Sequence, residues 1–136
     1  VRITAINKLQ QWGFLPKPRA VRIDYSTGPG PIIITLRGQL DSTTASSLQV
    51  ALQGLCADGH RCFILACAEL NYLSSAGLRV LMAVRKALAK ERHDGGIHLA
   101  EARAHVRDVF QISGLDGIFP LHATLAEARS AVGGVP

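Results

Sequence analysis

Ser74 and Ser75 stand where an apolar run hands over to a segment of helical spacing, within Tyr72-Leu-Ser-Ser-Ala-Gly-Leu-Arg-Val-Leu81. Before them, Cys62-Phe-Ile-Leu-Ala-Cys67 is a short, nearly unbroken apolar run of strand length. After them, Val80, Leu81, Val84, Ala87 and Leu88 share one helical face. A serine at such a junction lies beside the unpaired N–H groups of a helix start and the positive end of its dipole. That place suits a phosphate, so both serines are candidates for modification as well as for simple N-capping. Gly77 costs stability in the first helical turn, so a bare backbone is needed there. Two reasons stay open: close approach of a partner, or tight packing of the helix on its strand.

Other groupings of reactive side chains fail on spacing. Cys56, Cys62 and Cys67 are odd in number and contain no Cys-x-x-Cys pair. Cys56 should end a helix, while Cys62 and Cys67 are five apart on one strand and face opposite sides. With His60 they make neither a zinc site nor a disulfide framework, and a reducing cytoplasm is the expected setting. His60, His93, His98, His105 and His122 are scattered, with solvent-facing or capping roles expected. Ser-Ser-Ala-Gly lacks the Gly-x-Ser-x-Gly elbow that acyl transfer uses. Gly28-Pro-Gly-Pro31 is proline-stiffened and precedes a strand, so it reads as a hairpin turn rather than a phosphate loop. The expectation is a non-enzymatic protein without cofactor or metal.

The elements that position the serines follow from composition and pattern. With 136 residues, 48% apolar and 18% charged, the chain has the makings of one folded core. No run approaches the roughly 18 apolar residues of a membrane span. The opening residues show no apolar run followed by the cleavage site of a secretory signal, so none is visible in this stretch. The formal charge of +5 comes from Arg2, Lys8, Lys17, Arg19 and Arg22, with no acid before Asp24. From residue 23 onward ten basic and ten acidic residues balance, which argues against a nucleic-acid-binding domain.

Residues 1–19 read as a basic amphipathic N-terminal extension, with Ile3, Ile6, Leu9, Trp12 and Phe14 at roughly helical spacing and Pro16-Lys-Pro18 as its stop. Folding back on the domain is the favoured role for it; contact with a membrane surface or burial between two copies in a homodimer are the others. Residues 20–136 then alternate. Strands are expected at 20–25 and 32–36, joined as an antiparallel hairpin. Asp41 and Ser42 are candidate caps for a helix carrying Ala45, Leu48, Leu52 and Leu55. The 62–67 strand, a helix over about 76–91 and a strand at 97–100 follow. A helix over about 103–113 ends at Gly114 with Leu115 packing back, and Thr124-Leu-Ala-Glu127 is a capping box for the last helix. The fold class is α/β: a mixed, mostly parallel sheet opened by a hairpin and packed with about four helices.

Two motifs in this setting resemble the STAS domain family of anti-sigma factor antagonists and sulfate-transporter tails. Leu36-Arg-Gly-Gln-Leu-Asp41 is similar to its strand-end pattern of glycine, hydrophobic residue and aspartate. Tyr72-Leu-Ser-Ser-Ala-Gly-Leu78 is similar to its aromatic-x-Asp-Ser-x-Gly-Leu loop, and Ile112-Ser-Gly-Leu-Asp116 with Phe119 fits its closing helix and turn. The resemblance spans about residues 20–132. It implies that Ser75 is the phosphoacceptor, with Ser74 its rival, for a partner that is both anti-sigma factor and serine protein kinase. A phosphatase would reverse the step. It further implies that Asp41, Ser74, Ser75, Ala76, Gly77 and Arg79 form the partner-binding rim. An unswitched subunit docking on an ABC-type lipid transporter is the alternative the family offers. Two departures stand out: Ser74 replaces the acid that usually precedes the acceptor, and Ala66 replaces the acid or amide often found at the preceding strand end.

Overall fold

β-Branched and apolar runs supply the sheet, and the segments between them carry apolar faces at helical spacing that cover it. The structure, a computed structural model, describes residues 2–5, 21–26, 30–90 and 96–133. In chain order the elements are β1 (Arg2–Ala5), β2 (Val21–Ser26), β3 (Ile32–Leu40), α1 (Ala45–Ala57), β4 (Cys62–Leu73) and α2 (Ser75–Lys90). There follow β5 (Gly96–Ala100), α3 (Ala104–Ile112), a 3-10 turn at Leu115–Gly117, β6 (Leu121–His122) and α4 (Leu125–Gly133). Six strands form one sheet in sequence order, antiparallel from β1 to β3 and parallel from β3 to β6. The expected hairpin, crossovers and four helices are all present.

Strand alternation sends side chains to two unequal layers. On one face α1, α2 and α3 bury Leu48, Leu52, Leu81, Val84, Val106 and Phe110 against Ile34, Leu36, Phe63, Leu65 and Leu99. Each fully buried side chain of this kind contributes about 1.5–3 kcal/mol, so this layer carries most of the stability. Phe110 meets Phe119 edge to face, with ring centres 5.7 Å apart. On the reverse face α4 closes a much smaller core of Ile64, Ala100 and Ala128, with Ile33, Leu125 and Val132 at its border. Beyond that cover the reverse face is polar: Arg37 donates to Asp24 at 2.7 Å and is also bonded to Glu69.

Three expectations need correction. β3, expected at 32–36, runs on to Leu40. β4 does not stop at Cys67 but runs to Leu73, with Leu70 and Leu73 buried and their neighbours exposed. Register shifts against β3, between Thr35 and Arg37 and between Gly38 and Gln39, break the simple alternation there and hide the strand from a period-two reading. Arg2–Ala5, expected to open a helical segment, is instead an edge strand paired to β2, with Ile3 opposite Tyr25 and Thr4 opposite Asp24. The rest of the amphipathic segment, Ile6 to Pro18, lies outside the described residues, as do Gly28 and Pro29 of the 28–31 turn. Gly114 does take a left-handed conformation (φ 73) after α3, and Leu115 packs on the core beyond it.

Candidate functional site

β3 and β4 end side by side, Leu40 opposite Leu73, so Asp41 and Ser74 are the next residues of two parallel strands. The Ser74 N–H donates to the Leu40 carbonyl at 2.9 Å and clips the two ends together. In parallel α/β sheets the carboxyl ends of the strands, where helices begin, are the usual place for sites.

Neither Asp41 nor Ser42 is the N-cap of α1: that position is Thr44, which makes no side-chain capping bond, and Asp41 instead braces the turn that precedes the helix. Its Oδ1 accepts from the Thr43 N–H at 2.9 Å, the Thr43 hydroxyl at 2.7 Å and the Thr44 N–H at 3.2 Å. Its carbonyl accepts from Ala45 N–H, the first bond of α1. The residue is 3% exposed. Burial pushes its carboxyl up, but the bonds from Thr43 and Thr44 outweigh that and hold it below the ordinary carboxylate value. Asp41 is thus a buried, ionised anchor of the 41–44 turn.

The second crossover is finished differently. The Ser74 carbonyl accepts from Leu78 N–H at 3.1 Å, which makes Ser74 the capping residue and Ser75 the first residue of α2. The Ser74 Oγ is buried and makes no hydrogen bond among the described residues. Ser75 is exposed, as is Arg79 one turn on; Ala76 is half-buried and packs on the core. The first turn of α2 holds no acid. Gly77 is buried, and a Cβ there would sit 2.8 Å from Leu73 Cδ1 and 2.9 Å from Leu40 Cγ and Cδ2. The open question about this glycine therefore closes on packing: α2 rests directly on the two strand ends.

Sequence reasoning missed one pairing elsewhere on the sheet. His98 and His122, expected to face solvent or to cap, are half-buried and stacked, with His98 Nδ1 3.0 Å from His122 Nε2. Burial, and then the charge of His122, push His98 below its ordinary value. Only the parallel pairing of β5 with a two-residue β6 brings them together, and no local residue pattern encodes that partnership. His105 reaches the Asn71 carbonyl and Arg103 Nε donates to the Ala68 carbonyl, which pins the start of α3 on the outer part of β4. Among the described residues no helix is long and apolar enough to cross a membrane.

The profile of the STAS domain matches residues 22–128. The chain belongs to the STAS domain family. It is 40% identical over 102 residues, 75% of this chain and 85% of the other, to a protein described as an anti-sigma factor antagonist, BtrV of Bordetella bronchiseptica. It is 26% identical over 118 residues, 86% of this chain and 93% of the other, to the anti-sigma-F factor antagonist RsfB of Mycobacterium tuberculosis. The crystal structure of an anti-sigma factor antagonist from Mycobacterium paratuberculosis superposes with TM-score 0.75 at 29% identity, covering 88% of this chain and 99% of that one. Unphosphorylated SpoIIAA, at 22% identity, TM-score 0.71 and coverage of 84% and 98%, shares the fold. The chain is thus a STAS domain of the anti-sigma factor antagonist type, its relatives being regulatory proteins.

Proposed function

We propose that this STAS domain binds an anti-sigma factor with serine kinase activity through the rim around the α2 start, and that phosphorylation of Ser75 ends the binding. The observation that carries the reading is the contrast between adjacent hydroxyls: Ser75 is exposed at the head of α2, while the Ser74 Oγ is buried. A kinase reaches the first and not the second. The names of the relatives support the choice of partner. A neighbour of the same fold, SpoIIAA, has been solved in a phosphorylated form.

The chemistry of release is electrostatic. A phosphoserine adds about −1.5 to −2 charges at neutral pH. At the first residue of α2 that charge is compatible with the helix itself, because the N–H groups and dipole there favour an anion and no acid opposes it in the first turn. The domain therefore keeps its fold while the rim changes sign for a partner shaped to the neutral serine.

The test is incubation with ATP and the cognate kinase, followed by intact mass, site mapping and a binding assay. One phosphate on Ser75, absent from Ser75→Ala, with loss of partner affinity on phosphorylation, is the expected result. An active kinase that binds the protein and leaves it unmodified, or that modifies Ser74, would overturn the proposal.

A further inference from the structure

Between Ser75 and Lys90 there are four cations, Arg79, Arg85, Lys86 and Lys90, and no acid. None of the four is in an ion pair among the described residues. Two of the large apolar side chains left in solvent, Met82 at 45% exposure and Ile118 at 39%, line one groove between α2 and the segment after the 3-10 turn. The groove holds about 290 Å³, and Ala83, Ala89, Arg85 and Lys86 complete its lining.

The shape and chemistry select the occupant. A metabolite pocket brings several polar groups to converge on a ligand in roughly 300–1,000 Å³; here the polar groups are two cations at the border of an apolar floor. A membrane surface is met by apolar groups that protrude, whereas Met82 and Ile118 line a concavity. The small side chains of Ala83 and Ala89 let another helix lie close alongside α2. The chain's own N-terminal segment, with Arg2, Lys8, Lys17 and Arg19 and no acid, carries the wrong charge.

We propose that this groove docks an acidic amphipathic helix of a partner protein, which seats an apolar side chain between Met82 and Ile118 and sets carboxylates against Arg85 and Lys86. This is the helix-in-groove mode, with the charges setting orientation and encounter rate. Met82 lies seven residues along α2 from Ser75, about 10 Å along the axis. Seven residues are two turns, so the groove continues the face of α2 that Ser75 begins, and its occupancy requires no phosphate.

The experiment is an NMR titration of the isotope-labelled full chain with a synthetic amphipathic peptide, leucines on one face and glutamates flanking them. The expected result is saturable shifts centred on Met82, Lys86 and Ile118. Affinity should fall about tenfold as salt shortens the Debye length from about 10 Å to about 3 Å. Lys86→Glu should weaken binding by a similar factor, and Met82→Ser should do so without salt dependence. Both sites are exposed, and an unchanged spectrum elsewhere shows that the variants fold. A peptide with lysines for glutamates should not bind. Absence of saturable shifts, shifts centred elsewhere, equal binding of the lysine peptide, or preference for phosphatidylglycerol vesicles over the peptide would each overturn the proposal.

Discussion

The two strand-to-helix turns at the end of β3 and β4 have the same topology and opposite finishes. Where β3 enters α1, Asp41 Oδ1 collects the donors of Thr43 and Thr44, so side chains of the turn itself meet there. Where β4 enters α2, the Ser74 hydroxyl bonds to nothing among the described residues and Ser75 stays in solvent. One backbone bond, from Ser74 to Leu40, holds these contrasting turns side by side. A helix start alone therefore says little about function. What separates an anchor from an accessible site is whether local side chains have already used its donors.

The contrast can be broken most severely from beneath. Gly77→Val should cost about 3 kcal/mol, at the upper end for an overpacked core, because Leu40 and Leu73 lie in the way of any Cβ. Gly77→Ala should cost less, since alanine recovers about 1 kcal/mol of helix propensity; urea denaturation measures both. Asp41→Ala comes next, at about 2 kcal/mol, as for the loss of hydrogen bonds to a charged group. Because the folded Asp41 carboxyl titrates below its ordinary value, its contribution is full above the unfolded pKa and disappears as pH falls through the lower, folded one. The wild type should thus lose stability below about pH 4 more steeply than Asp41→Asn. Parallel acid curves for the two would show that the carboxylate is not the anchor. Ser74→Ala should have the smallest effect, under about 0.5 kcal/mol, since its hydroxyl makes no bond to lose. A cost for Ser74→Ala equal to that of Asp41→Ala would erase the distinction between the turns.

Features written in local residue types could be read from the sequence. The left-handed Gly114 and the capping box are of this kind: Glu127 N–H bonds the Thr124 hydroxyl at 3.1 Å, though the Glu127 carboxylate reaches back to Ala123 rather than to Thr124 itself. The order of strands and helices followed from the switch between periods of two and of 3.6. What escaped depends on distant partners. Arg2–Ala5 has the spacing of a helix face and becomes a strand because β2 offers it a free edge. The outer half of β4 loses its alternation to register shifts that only β3 imposes. At the site, the importance of Ser74, Ser75 and Gly77 was legible. Which hydroxyl is buried, and what Gly77 touches, depended on how closely α2 seats on Leu40 and Leu73.

The unequal layers have a consequence for how the molecule comes apart. α4 is held by Ala128 and its neighbours on the reverse face, while the large core on the other side shares none of those residues. The smaller core makes α4 the element expected to open first. Excursions in which α4 lifts away expose Ile64 and Ala100 yet leave Leu40, Leu73 and the α2 start in place. Proteolysis or sheet-to-sheet association would begin there, on the far side of the serines, in molecules whose signalling rim is still intact.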